Sequence, residues 1–119
     1  HEVPAIECKP VIKGYTETAI NRDHVFSDNH KKAGLMKLSK LGDTPQGESE
    51  IIGMFQDIIK EVDSHGLLKT DRTNIIRTII NGHKVDIKID IRVDGLIRSF
   101  DGYIGWTGRD TFHIVRWNC

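Results

Sequence analysis

The C-terminal part of the chain alternates apolar and polar residues with a period of two, a pattern typical of half-buried β-strands. The clearest run places these apolar residues on one face: Val85, Ile87, Ile89, Ile91 and Val93. The pattern predicts strands over 74–80, 83–93, 96–106 and 110–118. Four such segments in succession predict a four-stranded antiparallel sheet with one apolar face and one polar face.

Two dipeptides, Asn81-Gly82 and Asp94-Gly95, separate the first three predicted strands and suit two-residue hairpin turns. Turns of this length determine which residues pair across the strands. The predicted pairs are Thr78 with Val85, Ile76 with Ile87, Arg77 with Asp86, Ile89 with Phe100, Lys88 with Asp101, and Asp86 with Tyr103. The polar face would then be a solvated lattice of cross-strand ion pairs, made of Arg77, Asp86, Lys88, Asp90, Arg92, Ser99, Asp101 and Tyr103.

The first half of the chain contains helical spacing instead. Residues 49–64 place apolar side chains at i, i+4, i+7, i+8 and i+11, with Ser49 as the N-cap. A weaker pattern predicts a helix over 16–33, and residues 42–47 form a Gly- and Pro-containing loop. We therefore expect a single α+β domain over residues 1–119, with one or two helices packed on the sheet.

Composition narrows the functional classes. The chain has 17 basic and 17 acidic residues, so it lacks the overall basic field of non-specific nucleic-acid binders. No apolar run approaches the roughly 20 residues that a membrane-spanning helix needs. The six histidines show no paired ligand spacing, so we predict no metal and no other cofactor. The start at His1, with no leader-like segment, predicts either a processed mature protein or an expressed piece of a longer chain.

The two cysteines lie near opposite ends of the sequence, at Cys8 and Cys119. A terminal residue is a poor position for a catalytic thiol, because little structure holds it. We predict a Cys8–Cys119 disulfide, for which the chain-entropy estimate is about 4.7 kcal/mol for a loop of about 100 residues. Two unrelated free thiols are the alternative. A disulfide would imply an oxidising compartment and therefore secretion.

A cysteine near the start, a helix, a four-stranded sheet and a closing cysteine give a layout that resembles the fungal guanyl-specific ribonucleases. Residues 104–108, Ile-Gly-Trp-Thr-Gly, resemble the family's strand ending in Thr-His-Thr-Gly, and residues 77–81 resemble its Arg-Val-Val-Phe-Asn stretch. Residues 44–46 and 52–55 are similar to its Tyr-Pro-His and Glu-Gly-Phe base-recognition stretch. The resemblance implies a microbial ribonuclease-like fold, with a loop and a strand where we predict the helix over 49–64.

The resemblance implies an incomplete catalytic set. The family's reaction needs a carboxylate base, histidine acid chemistry and an arginine that stabilises charge on phosphorus. Glu61 and Arg77 match the base and the arginine, whereas Gln46 stands at one histidine position. Trp106 stands at the other, or Arg92 when the chain is aligned from Arg77 without gaps. Neither an indole N–H nor a guanidinium releases a proton near neutral pH, so we expect no enzymatic turnover.

A small chain of the secreted type with this frame resembles the ribonuclease-like secreted effectors of powdery mildew fungi. Their aromatic-x-Cys motif appears here as Ile6-Glu7-Cys8, with an aliphatic residue in place of the aromatic one. The resemblance implies a monomeric avirulence-type effector without catalytic activity. It would promote virulence in the host cell cytoplasm, where an intracellular plant immune receptor would recognise it.

Two other functions stay open: an active secreted guanyl-specific endoribonuclease, and a non-catalytic RNA-binding module. A basic segment could contact RNA phosphates or an acidic host protein, and it comprises His30, Lys31, Lys32, Lys37 and Lys40. Trp106 and Trp117 could stack bases, and burial or receptor contact is the alternative for both. His65 and His113 are a further possible acid–base pair, although nothing in the sequence places them together.

Overall fold

The computed structural model describes residue 26, residues 32–106 and residues 111–117, with an α+β architecture. The strands of its single sheet are β1 Arg72–Ile80, β2 His83–Ile91, β3 Ile97–Ile104 and β4 His113–Arg116. A short helix, α1 Lys32–Leu35, continues into a 3-10 turn at Met36–Leu38, and the long helix α2 is Pro45–Ser64. The predicted α+β class and the four strands are confirmed.

Helix α2 confirms the helix predicted over 49–64, but it begins four residues earlier. Thr44 is its N-cap instead of Ser49, because the Thr44 hydroxyl accepts a hydrogen bond from the Gly47 N–H at 3.0 Å. Pro45 occupies the first helical turn, where its missing N–H leaves no bond unmade. The second half of the predicted 42–47 loop is therefore helical.

The helix predicted over 16–33 lies almost entirely outside the described residues. Its predicted end is in the wrong place, because α1 continues through Gly34 to Leu35. Gly34 lies beside Ile104 of β3, where an added Cβ would make an ordinary van der Waals contact at 3.7 Å. Cys8 and Cys119, with the predicted disulfide between them, also lie outside the described residues.

The sheet is mixed, so the antiparallel prediction is wrong for β4. The strand order is β3-β2-β1-β4, and β4 pairs with β1 in parallel, with Asn74 beside His113 and Arg77 beside Arg116. β4 therefore does not pair with its sequence neighbour β3. Because β3 and β4 occupy opposite edges of the sheet, the chain between them crosses the sheet.

The β1–β2 hairpin has the predicted register, including Thr78 with Val85, Ile76 with Ile87 and Arg77 with Asp86. Its turn has the expected positive φ at Asn81 and Gly82. The Asn81 side chain also donates a hydrogen bond to the Leu38 carbonyl at 2.9 Å, which ties the turn to the 3-10 segment. A two-residue turn was therefore sufficient to determine this pairing.

The β2–β3 hairpin reaches the predicted pairs through a different turn. Arg92 donates its N–H to the Leu96 carbonyl, and Gly95 adopts φ 87°, so the loop contains three residues instead of two. A register shift between Asp90 and Ile91 compensates for the extra residue. The pairs Ile89–Phe100, Lys88–Asp101 and Asp86–Tyr103 are consequently confirmed.

Helix α2 covers one face of the sheet, which we call the helix-side face. Its core joins apolar side chains of α2 to those of the strands, and includes Phe55, Ile59, Ile76, Val85, Ile87, Ile89, Phe100, Val115 and Trp117. Gly102 makes this packing possible, because an added Cβ there would overlap the Phe55 ring. The opposite face carries the residues from which the candidate site is built.

Candidate functional site

The opposite face, here called the charged face, takes alternate residues from all four strands. Strand pairing places these residues on it: Ile75, Arg77, Ile79, Lys84, Asp86, Lys88, Asp101, Tyr103, Ile114 and Arg116. Arg116 joins the set only because β4 lies parallel to β1. Both described ends of the β3–β4 connection also lie on this face, since Trp106 lies against Arg77 and Lys84, and Phe112 against Lys88.

An ion pair between Arg77 and Asp86 lies at the centre of the charged face. Arg77 Nε donates to Asp86 Oδ1 at 3.1 Å and Arg77 Nη2 donates to Asp86 Oδ2 at 3.3 Å, so the pairing is bidentate. The Asp86 side chain is fully buried, and the Arg77 side chain is 10% exposed. The predicted solvated lattice is therefore wrong at its centre, where the pair is shielded from water.

Trp106 lies over this part of the face. Its ring centroid is 5.6 Å from Arg77 Cζ and 4.8 Å from Lys84 Nζ, within the range of cation–π contacts. Its indole N–H donates to the Thr78 carbonyl at 3.2 Å, which holds the ring against β1. The indole nevertheless remains 38% exposed, so one part of it contacts the sheet and another part contacts solvent.

The candidate catalytic positions do not converge. Arg77 and Trp106 meet on the charged face, whereas Glu61 belongs to α2 on the other side of the sheet, 3.9 Å from His65 Nε2. Gln46 is exposed in the first turn of α2, and Arg92 is exposed and paired with Asp94 at 3.2 Å. The structure thus brings together two of the five positions that the resemblance assigned.

The two tryptophans do not form a joint stacking surface. Trp117 is buried in the helix-side core, 5.2 Å from the His65 ring, and Trp106 lies on the opposite face. The two candidate histidines have different partners. The His65 ring lies against Trp117, whereas His113 Nε2 lies 2.9 Å from the Leu67 carbonyl oxygen. Burial, the alternative given above, is therefore correct for Trp117.

The basic segment is described only in part. Lys37 and Lys40 are exposed beside the 3-10 turn, while His30, Lys31 and the Lys32 side chain lie outside the described set. Near these lysines, the Ser39 hydroxyl and the backbone N–H of Lys40 donate hydrogen bonds to the Glu50 carboxylate. These hydrogen bonds lower the pKa of Glu50. An acidic side chain thus already contacts one end of the segment.

No family model, curated protein or solved structure matches this chain. Within residue 26, 32–106 and 111–117, no group of three or more His, Cys, Asp or Glu side chains has an arrangement that could hold a metal ion. In the same residues, no helix is long and apolar enough to cross a membrane.

Sequence reasoning missed Lys84 as a contact of Trp106, and it missed Ile79 and Arg116 as the strand-pairing neighbours of Lys84 and Arg77. The Asn81-Gly82 turn contained the signal for Lys84 and Ile79, because the same register that pairs Arg77 with Asp86 pairs these two residues. No comparable signal existed for Arg116, since its position depends on β4 pairing with β1. The exposed indole and these three residues form the most chemically distinctive surface in the described part of the chain.

Proposed function

We propose that this chain is a secreted ribonuclease-like effector without catalytic activity, which acts by binding proteins inside plant host cells. The observation that carries the proposal is the Arg77–Asp86 pair. Arg77 matches the family's phosphate-binding arginine, but a buried carboxylate already occupies its guanidinium with two hydrogen bonds. A substrate phosphate would have to displace that carboxylate and separate it, still buried, from its guanidinium, which is energetically costly.

The neighbouring residues support the same proposal. Trp106, at the position of the family's acid, donates its only polar hydrogen to the Thr78 carbonyl and has no proton to transfer near neutral pH. Glu61, the matched base, belongs to the helix on the other side of the sheet. Proton transfer to and from a ribose on the charged face would therefore have neither partner in place.

Secretion and a Cys8–Cys119 disulfide are part of the proposal. The test is the intact mass of the purified chain, which should rise by the mass of two hydrogens on reduction. We also expect reduction to lower the melting temperature, because the bond would close most of the chain into one loop. An unchanged mass would argue against the disulfide and would remove the main support for secretion.

The catalytic half of the proposal is tested by incubating the purified oxidised chain with single-stranded RNA that contains guanosine. We expect no cleavage above the level of buffer alone. The matched control is Glu61→Gln, which removes the candidate base and should leave that background unchanged. Turnover in the natural chain that disappears in Glu61→Gln would instead identify a ribonuclease.

The binding half is tested in plant extract. The chain should retain a defined host protein, and a heat-unfolded sample of the same chain should not. Intracellular expression in plants that carry a matching immune receptor should trigger cell death. Absence of both results would contradict an effector function.

RNA binding without cleavage is a second candidate, because Lys37 and Lys40 are exposed on adjacent turns of one segment. It predicts measurable RNA affinity that falls steeply with salt and when Lys31, Lys32 and Lys37 are changed to Ala. RNA binding that is absent, or insensitive to salt, would exclude this candidate.

A further inference from the structure

A compact surface of mixed chemistry lies at one end of the charged face. We name it the Trp106 patch, and it consists of Ile79, Lys84, Trp106 and Arg116. Ile79 is 41% exposed and Trp106 is 38% exposed, values that are high for large apolar side chains on a sheet. Lys84 pairs with Ile79 across β1–β2, and both Lys84 and Arg116 are exposed.

The patch carries a net positive charge. The charge of the neighbouring Arg77 is offset by Asp86, which is fully buried and does not reach the surface. Within the described part of the chain, no carboxylate lies within 4.0 Å of the Lys84 or Arg116 charged groups. Two cations without an ion-pair partner among these residues therefore flank two exposed apolar side chains.

The spacing of the cations follows from the strand order. Lys84 is on β2 and level with Ile79, whereas Arg116 is on β4 and level with Arg77, with β1 between them. Two strand spacings and a shift of two residues along the strands place their Cα atoms on the order of 12 Å apart. An extended peptide spans that distance in three to four residues.

From this arrangement we propose that the Trp106 patch is a docking surface for an acidic segment of a partner protein. The segment carries carboxylates on both sides of an apolar residue. The apolar residue covers Ile79 and the exposed part of the indole, and the carboxylates meet Lys84 and Arg116. This inference rests on the proposed function, because it specifies the chemistry of the protein that the effector binds.

An acidic peptide fits the patch better than a nucleic-acid strand does. Ile79 is aliphatic and offers no ring on which a second base could stack, although it buries an aliphatic side chain well. Two cations are also few for a phosphate backbone with one charge per nucleotide. A peptide with separated carboxylates matches both the number and the spacing of the cations.

The test is isothermal titration of the purified chain with a synthetic peptide of the pattern Glu-Asp-Leu-Glu-Asp-Leu. Trp106→Ala should weaken binding roughly tenfold or more, because buried aromatic residues dominate such interfaces. Trp106→Phe keeps a ring and should keep most of the affinity. Lys84→Gln with Arg116→Gln should weaken binding about two- to fivefold, as expected for exposed charge pairs.

The matched control is a triple variant, Lys69→Gln, Arg72→Gln and Val93→Ser, which removes two exposed cations and one exposed apolar side chain elsewhere on the chain. It should bind the peptide like the natural chain. A peptide with Gln and Asn in place of Glu and Asp should bind much more weakly. Circular dichroism and melting temperature check that each variant is folded, and the double Gln variant decides the test if Trp106→Ala is unfolded.

Three results of the peptide titration would overturn the inference: equal affinity for the neutral peptide, equal losses in the triple control variant, or displacement of the acidic peptide by oligouridylate at lower concentration. Failure here is distinguishable from failure of the proposed function. RNA turnover that depends on Glu61 contradicts the proposed function whatever the peptide does. Retention of a host protein by Trp106→Ala as well as by the natural chain contradicts only the docking surface.

Discussion

The two faces of the sheet are stabilised by different kinds of interaction. On the helix-side face, many apolar contacts between α2 and the strands each contribute a little, and shape complementarity matters most. On the charged face, one buried bidentate ion pair lies beneath an aromatic ring. On the helix-side face, a substitution should lower the free energy of unfolding in proportion to the side-chain volume that it removes. On the charged face, stability depends on both members of one ion pair.

The largest expected effect tests the helix-side face. Phe55→Ala removes a fully buried ring that packs against Gly102, and we expect the free energy of unfolding to fall by about 4 kcal/mol. Urea denaturation provides the measurement. Ile79→Ala, on the charged face and 41% exposed, is the matched control and should change stability by less than about 0.5 kcal/mol. Similar losses in both variants would mean that the two faces do not differ in this way.

The next effect tests the charged face. Asp86→Ala leaves the nearly buried Arg77 guanidinium without its partner, and we expect a loss of about 3 kcal/mol in the free energy of unfolding. The double variant Arg77→Met with Asp86→Leu removes both charges and should recover most of that loss. A double variant as unstable as Asp86→Ala would show that packing, and not pairing, matters at these positions.

A polar exception on the helix-side face sharpens the comparison. Asn74 is fully buried there. Its side-chain oxygen accepts a hydrogen bond from the Lys69 N–H at 2.9 Å, and its side-chain nitrogen donates to the Lys69 carbonyl at 2.9 Å and to the Arg72 carbonyl at 3.3 Å. These bonds hold the segment that leads into β1. We expect Asn74→Ala to cost about 2 kcal/mol, measured by urea denaturation, and to speed amide hydrogen exchange at Lys69. Unchanged exchange at Lys69 would contradict this role.

The smallest effect concerns a carboxylate that lacks the pairing of Asp86. Asp57 on α2 is buried, its Oδ1 has no hydrogen-bond partner, and burial raises its pKa even though the Lys60 charge lowers it. Because the pKa of Asp57 is raised in the folded state, Asp57 contributes stability at a pH below its ordinary pKa of 3.8. This contribution is lost as the pH rises through the folded-state pKa.

Replacing Asp57 with Asn should therefore stabilise the chain at neutral pH by a fraction of a kcal/mol. The gain should disappear on acidification below that ordinary value. Melting temperatures of both chains across the acid range provide the measurement. Asp63→Asn, an exposed position on the same helix, is the control. A stability difference that does not vary with pH would exclude ionisation of Asp57 as its cause.

Local sequence determined much of this protein. Apolar spacing predicted α2, and alternation predicted the strands, because both patterns reflect which side chains a regular backbone places on one face. The Asn81-Gly82 turn determined the pairing of Arg77 with Asp86 and of Ile79 with Lys84, because few residues have backbone angles that close a two-residue hairpin.

Tertiary structure alone decided where β4 lies. β4 has only four residues, and its alternating pattern does not specify which edge of the sheet it joins, so its position depends on packing between segments distant in the chain. That choice placed Arg116 beside Arg77, and both described ends of the β3–β4 connection lie on the charged face, with Trp106 over the ion pair. The docking surface proposed here therefore depends on long-range pairing, which no local pattern encodes.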